Sequence, residues 1–327
     1  MVNTQVKFWK GKRVLITGYE GFLGSNLAKV LLNFGAKISG LDILTRRKDT
    51  ILTQKELAKI KIIKGNVDNL SLVKRILRND KIEVIFHLAA EALVGECLKR
   101  PVKGFSTNIK GTWNILEAWR QTKIAKAIVV ASSDKAYGSH SKLPYKEDSA
   151  LCGLHPYDVS KSCADLIAHA YHNTYGAPVV ITRCGNIFGP GDFNFSRIVP
   201  ETLRSVIRNK TLVIRSDGKF TRDYVYVDDI VAGYINLAQK SKKLKLFGQA
   251  FNFSAEQPLS VLALVKLIYK LADRRSNYKI LKQAKYEIKH QYLSSRKAAR
   301  VLGWKPKLKL DKALEKTYQW YKDNLSK

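Results

Sequence analysis

The chain has 327 residues, 45% of them hydrophobic, enough for one large core or two smaller ones, which excludes a disordered polymer. Its 58 Lys and Arg against 27 Asp and Glu leave a formal charge of +31, a balance that suits nucleic acid, a phosphorylated substrate, or no function at all. The cations are spread along the chain without helix-turn-helix, zinc or RNA-binding signatures, and no apolar run is long enough to cross a bilayer, so neither nucleic acid nor a membrane is expected as partner.

Residues 1–10 lack the apolar core of a signal peptide. Residues 13–17 (Arg-Val-Leu-Ile-Thr) form a short β-branched run that predicts a buried strand. Gly18, Gly21 and Gly24 follow at once, with Phe22 and Leu23 between the last two, and residues 25–34 have helical periodicity. Glycines at this spacing let the backbone turn tightly beside a pyrophosphate at a helix N-terminus. A loop needing positive φ would also use glycine, but here strand, helix and a second strand (37–41) are all in place. Asp42 closes that strand where a ribose-binding acid belongs, and its charge favours NAD over NADP. Arg46 and Arg47 close behind could bind a 2′-phosphate; solvated loop charge is the preferred reading.

The alternation continues. A third strand (61–64) leads to Asn66 and Val67 in a polar turn suited to an adenine edge. A helix (70–78) and a fourth strand (84–87) follow, ending in Leu88, Ala89 and Ala90, small enough at the alanines for a backbone to lie against a cofactor or simply to pack closely. His87 reads as structural. One long helix over 101–122 carries Asn108, Gly111 and Thr112, and a fifth strand (127–131) delivers Ser132 and Ser133 to the sheet edge. Asp134 and Lys135 come next, an acid and a base at a strand end that serve either chemistry or the pocket's shape. On the helix over 155–175, Tyr157 and Lys161 share a face, where an ammonium favours the phenolate. Strands alternating with helices predict an α/β fold, a Rossmann-type doubly wound parallel sheet with a smaller C-terminal substrate-binding lobe.

After a strand at 179–183 the pattern changes to a turn-rich loop (185–192) containing Asn186. Helices to 209 and 239, a strand at 212–215, a strand at 250–253 ending near Asn252, an amphipathic helix over 259–271 and two tail helices (294–302, 310–324) complete the chain. Asn186, Arg197, Arg215, Arg222 and Asn252 are the candidate substrate contacts, the arginines for a diphosphate. The lysine-rich stretch 240–245 reads as a solvated loop. Residues 1–185 are assigned to the NAD-binding domain and 186–327 mainly to the substrate lobe, the chain crossing back near 223–253. Cys97, Cys152, Cys163 and Cys184 fall in no metal or redox spacing, so no metal site and reduced thiols in a cytoplasmic protein are expected.

Together the glycine motif, His87-Leu-Ala-Ala90, Thr107-Asn108, Ser132-Ser133 through Tyr137-Gly138, Tyr157 to Lys161 and Arg222-Asp223-Tyr224 resemble the extended short-chain dehydrogenases/reductases, the NAD-dependent nucleotide-sugar epimerases and dehydratases. Asp134-Lys135 is similar to the pair in CDP-glucose 4,6-dehydratases, whereas Phe188-Gly-Pro-Gly191 and the segment 222–229 look more like the general epimerase pattern. The resemblance implies a 4,6-dehydratase acting on a nucleoside-diphosphate hexose, with a 4-epimerase as alternative and a non-catalytic NAD or nucleotide-sugar binder as a third reading. It further implies Tyr157 as proton acceptor from the sugar 4-hydroxyl, Lys161 as its support, Ser133 as hydrogen-bond partner of that oxygen, Lys135 as base at carbon-5, Asp134 as acid at the 6-hydroxyl, and a homodimer. A lysine base needs a lowered pKa, and Lys161 with the nicotinamide cation would push it that way.

Overall fold

Strands of four to six residues, most of them aliphatic and buried, make the main sheet, as parallel sheets require. The computed structural model describes residues 2–44, 50–284 and 286–325. Helix α1 (Val2–Trp9) precedes β1 (Arg13–Thr17), α2 (Phe22–Asn33), β2 (Lys37–Asp42), the single turn α3 (Gln54–Leu57), β3 (Ile60–Lys64), α4 (Leu70–Asn79) and β4 (Val84–His87). Then α5 (Val94–Lys99) and α6 (Pro101–Phe105) run through a π-helical turn (Ser106–Lys110) into α7 (Gly111–Thr122), β5 (Ala127–Ala131), α8 (Pro156–Tyr175) and β6 (Val179–Cys184). Next are β7 (Asn186–Phe188), α9 (Ile198–Ile207), β8 (Leu212–Ile214), β9 (Thr221–Arg222), β10 (Tyr224–Tyr226), α10 (Val227–Lys240) and β11 (Ala250–Phe253). The chain closes with β12 (Leu259–Ser260), α11 (Val261–Leu271), β13 (Tyr278–Ile280), β14 (His290–Gln291), α12 (Arg296–Leu302) and α13 (Leu310–Leu325).

The expected doubly wound sheet is present, seven strands in the order β11-β6-β5-β4-β1-β2-β3. Parallel register brings Thr17 beside Leu41 and His87, so the strand C-termini share one edge. The helix expected over 101–122 is present, with a π-turn inside it whose wider loop lets Asn108 reach the backbone of Glu91. One local expectation fails. The turn-rich segment after β6 contains β7, whose parallel partner β10 lies too far along the chain for local pattern to reveal.

Contacts divide the chain into two compact units. The first comprises Met1–Gly138, Glu147–Arg183 and Val231–Phe251, and holds the sheet. Its core sets Leu15, Ile85, Ile128 and Val179 of the strands against Val73, Ile76 and Leu77 of α4 and Ile115 and Leu116 of α7. Each such side chain removed from water stabilises the fold by about 2 kcal/mol. The amphipathic spacing of α4 sends Arg75 and Arg78 outward. The second unit comprises Ser139–Lys146, Cys184–Ile230 and Asn252–Lys327, with its own core of Val199 and Leu203 on α9, Leu212 and Ile214 on β8, Leu264 and Val265 on α11 and Leu314 on α13.

A buried ion pair ties α8 to β6 in the first unit. Arg183 donates Nε and Nη2 to the two oxygens of Asp165, each at 2.8 Å, with the pair 3% and 0% exposed. Burial alone would raise the Asp165 carboxyl, but hydrogen bonds from Arg183 and His169 outweigh it and hold the group below its ordinary value. The remaining Arg183 Nη1 donates to the Tyr137 hydroxyl at 2.8 Å and the Glu147 carbonyl at 3.0 Å. Removing one member strands a buried charge. Arg183→Met is therefore expected to lower stability by about 3–5 kcal/mol in urea unfolding, and Arg183→Met with Asp165→Leu to recover most of it.

Candidate active site

At the end of β1 the backbone turns sharply. Gly18 has φ +72°, and a Cβ there would lie 2.9 Å from the Ala89 backbone; a Cβ on Gly24 would lie 2.1 Å from the Gly18 carbonyl. Glycine is required at both for α2 to sit against the strand end. Gly21 caps α2 with no side-chain bond, leaving the first-turn N–H groups, Phe22 and Leu23 among them, for a ligand. The Asp42 carboxylate accepts from the Glu20 and Leu44 N–H groups, both at 3.2 Å, and so is held beside this loop. Asn66 Oδ1 accepts from the Asp68 N–H at 3.2 Å, and the Val67 carbonyl accepts from Asn114 Nδ2 at 3.1 Å. Leu88 and Ala89 N–H groups donate to Thr17 Oγ1 at 3.2 and 3.1 Å, and half-buried Ala90 follows. These residues lie at neighbouring strand ends. A glycine cradle, a bare helix N-terminus and an adjacent carboxylate fit a dinucleotide. Arg46 and Arg47 lie outside the described residues.

Behind this edge runs a line of hydrogen bonds that the residue pattern did not reveal. Thr17 Oγ1 already accepts two N–H groups, so its proton goes to His87 Nδ1 at 2.9 Å. Thr112 Oγ1 donates to the Asn108 carbonyl at 2.6 Å and therefore accepts from His87 Nε2–H at 3.2 Å. Asn108 Nδ2 donates to Ser160 Oγ at 2.9 Å, and Ser160 donates to the Tyr157 carbonyl at 2.6 Å. His87 is locked as one neutral tautomer, a structural residue as its apolar strand suggested. Burial, with the nearby Lys161 charge, lowers its pKa to about 3.

The chemistry-bearing side chains gather at the end of β5. Ser132 Oγ is buried without a hydrogen-bond partner, an orphan that a bound group would satisfy. Ser133 caps a 3₁₀ turn (Asp134–Tyr137): its Oγ accepts from the Lys135 N–H at 3.2 Å and donates to Asp134 Oδ1 at 2.9 Å. Asp134 is buried and Lys135 half-buried. On α8, Lys161 Nζ donates to the Ala131 carbonyl at 2.9 Å and stands 6.0 Å from the Tyr157 ring centroid. Ser162 Oγ donates to the Ala136 carbonyl at 2.7 Å, fastening the 3₁₀ turn to the helix. The structure thus brings Ser132, Ser133, Asp134, Lys135, Tyr157 and Lys161 together on elements that touch. It adds Asp158, 4% exposed, whose carboxyl burial pushes up, while Lys135 and His155 pull it down and Asp134 raises it further. From sequence, an acid in the first turn of a helix signals only capping.

The five candidates for substrate contact all fall in the second unit. Asn186 opens β7, half-buried. Arg197 pairs with buried Asp192 at 3.2 Å, and Arg215 Nη2 holds the neighbouring Ser196 carbonyl at 2.8 Å, so these two arginines flank one segment. Arg222 donates to the Thr221 and Lys289 carbonyls and pairs with Glu287 at 3.5 Å. Asn252 is 0% exposed and donates to the Tyr145 carbonyl at 3.1 Å; it offers no surface to a ligand. Among the described residues no cluster of His, Cys, Asp or Glu could hold a metal, and no helix is long and apolar enough to cross a membrane.

The sequence pattern of the GDP-mannose 4,6 dehydratase family matches residues 15–317. The chain belongs to that family. It is 30% identical over 334 residues to the CDP-glucose 4,6-dehydratase of Salmonella typhimurium, covering 96% of this chain and 92% of that protein. It superposes on the dTDP-glucose 4,6-dehydratase of Streptomyces venezuelae, solved with NAD, at TM-score 0.87 with 27% identity, covering 96% and 98% of the two chains. It also superposes on the UDP-glucuronic acid 4-epimerase of Bacillus cereus, solved with UDP-glucuronic acid and NAD, at TM-score 0.85 with 26% identity, covering 95% and 99%. The resemblance carried by the motifs is borne out at the level of the family, nucleotide-sugar 4,6-dehydratases and 4-epimerases that use NAD.

For a member of the GDP-mannose 4,6 dehydratase family with His87 so placed, acid stability has a definite sign. The unfolded imidazole takes up a proton near 6.5, the folded one only near 3. Stability is full above the first value and falls as pH drops through the window between them. His87→Gln is expected to reduce the slope of unfolding free energy against pH in that window by about one proton, read from urea titrations at a series of pH values.

Proposed function

We propose that the protein is an NAD-dependent nucleotide-sugar 4,6-dehydratase, converting a CDP-glucose-like nucleoside-diphosphate hexose to its 4-keto-6-deoxy product. The observation that carries this reading is the Asp134–Lys135 pair, a buried acid and a half-buried amine on the 3₁₀ turn capped by Ser133. The backbone at Gly18, Gly21, Phe22, Leu23 and Gly24 holds the pyrophosphate, Asp42 the adenosine ribose, and Asn66 and Val67 the adenine. Leu88, Ala89, Ala90, Asn108, Ser132, Tyr157 and Lys161 line the nicotinamide end. NAD bound there would supply the hydride chemistry, an acceptor for the carbon-4 hydride and a donor of it to carbon-6.

The side chains of this chain handle the protons. Tyr157 takes the proton of the 4-hydroxyl, with the Lys161 ammonium favouring the phenolate. Ser133 hydrogen-bonds the same oxygen. The carbon-4 ketone acidifies the carbon-5 proton, which passes to Lys135 as the carbon-6 C–O bond breaks and Asp134 protonates the departing hydroxyl. Water leaves with Lys135 charged and Asp134 anionic; as carbon-6 takes up the hydride Lys135 gives its proton back to carbon-5, and the proton held by Tyr157 passes to Asp134, which resets all three groups. Asn186, Arg197, Arg215 and Arg222 serve the diphosphate. Asn252 serves instead as a brace for Tyr145.

The epimerase reading draws on the likeness to the Bacillus cereus enzyme, and the same fold would then use Tyr157 and Lys161 without the acid–base pair. Mass spectrometry after incubation with CDP-, dTDP-, UDP- and GDP-hexoses tests all readings. Loss of water is expected; an isomer of unchanged mass would mean epimerisation, and no turnover across the panel would leave a binding protein. Lys135→Met is expected to lower water loss by about 10²–10⁴-fold while reduction of bound NAD, read by absorbance, persists.

A homodimer is proposed on the same footing. Val102 on α6, Trp113 on α7 and Leu166 on α8 expose 78%, 42% and 56% of their surface on helices that pack against one another. Light scattering is expected to give a dimer for the wild type and a monomer for Trp113→Glu with Leu166→Glu.

A further inference from the structure

The proposed chemistry uses the C-terminal edge of the sheet and leaves the opposite edge without a role. Because the strands are parallel, their N-terminal ends line up there, and lysine after lysine stands at them. Lys37 opens β2, Lys59 precedes β3, Lys81 lies three residues before β4 and Lys126 immediately before β5, all exposed. Between α10 and β11 lies a turn, Lys242-Lys243-Leu244-Lys245, exposed at every position. Its following residues Gly248 and Gln249 are hydrogen-bonded to Val179 and Ile181 of β6, which fixes this turn at the same edge.

The acids nearby are already engaged. Glu83 pairs with Lys12 at 3.0 Å and Arg13 at 3.2 Å, and Asp80 pairs with Lys61. No ion pair among the described residues uses Lys37, Lys59, Lys81, Lys126 or the three lysines of the turn. Sheet order puts the turn at one end of the row and Lys59 at the other. Seven strands at ordinary spacing make the row roughly 30 Å wide.

We propose that this edge docks the protein on an anionic lipid membrane. Rows of lysine bind acidic headgroups as point charges, without the forked geometry that arginine brings to base or phosphate recognition. Leu244, 40% exposed between lysines, supplies an apolar tip of the kind that enters a lipid interface and finds nothing on a sugar-phosphate backbone. The site, at the other ends of the strands, stays open to solvent-borne substrate. The expectation that no membrane is a partner rested on spanning segments and does not bear on a surface of this kind.

Sedimentation of the full chain with vesicles tests the proposal. Binding is expected to vesicles of phosphatidylglycerol and phosphatidylcholine, not to phosphatidylcholine alone, and to weaken as salt rises. The triple variant Lys242→Glu, Lys243→Glu, Lys245→Glu should weaken it on the order of a hundredfold. A control triple with the same charge change, Lys266→Glu, Lys270→Glu, Lys279→Glu on the second unit, should stay within a few-fold of wild type. Circular dichroism confirms folding, and the corresponding Gln variants replace any Glu variant that fails it. Absence of binding to the acidic vesicles overturns the proposal, as does equal loss in the two triples, which would mean diffuse net charge. Tighter binding to duplex DNA than to vesicles, lost in the first triple, would assign the edge to nucleic acid instead.

Discussion

The line of hydrogen bonds from Thr17 through His87, Thr112, Asn108 and Ser160 to the Tyr157 carbonyl is the constraint on which the sheet edge depends. Each hydroxyl in it has one proton: the two N–H groups that Thr17 accepts send its proton to His87, the Asn108 carbonyl takes that of Thr112, and the Tyr157 carbonyl takes that of Ser160. The line starts where the glycine loop leaves β1 and ends at the first turn of α8. Loop and helix are therefore set relative to one another by neutral groups. This matters beside Lys161, since an imidazolium in the same place would add a second buried positive charge a short distance away.

Charge does enter, one layer further from the edge. Arg183 and Asp165 lock α8 to β6, and the spare guanidinium nitrogen reaches Tyr137 at the end of the 3₁₀ turn. Ser162 holds the same turn from the helix, and Gly138 closes it at φ +71°, where a Cβ would lie 1.9 Å from the Cys152 carbonyl. Three independent fastenings thus converge on a turn of four residues. Side chains mounted there keep their positions without help from a ligand, the condition for acid–base work to gain from proximity.

Much of this was legible in the residues. The glycine spacing, the strand-ending Asp42 and the Tyr157–Lys161 interval are local patterns, and local patterns survive in sequence. The fold class followed from alternation for the same reason. What stayed hidden was whatever depends on partners remote in the chain. Asn108 was noticed, but its bonds to Glu91 and Ser160, and the π-turn that permits them, were not. Asp158 gave no signal, because nothing in the sequence says that its carboxyl feels Lys135 and Asp134. Asn252 looked like a contact residue at a strand end, and its burial and its bond to the Tyr145 carbonyl depend on a partner more than a hundred residues away. The basic edge was invisible for another reason. The lysine-rich stretch 240–245 read as a solvated loop, the other lysines are scattered singly before separate strands, and sheet order alone assembles them with it.

The 3₁₀ turn carries one more implication. Its shape is set by the Ser133 cap, the glycine at its exit and the bonds from α8 and β6. In the dehydratase reading proposed above, the fastenings of this turn are distinct from the two side chains assigned to the elimination. On that reading, exchanging those two side chains would alter the outcome at the ketone while the fastenings of the turn remain. Divergence between dehydration and epimerisation on this architecture is then a short step in sequence space, taken without crossing an unfolded intermediate.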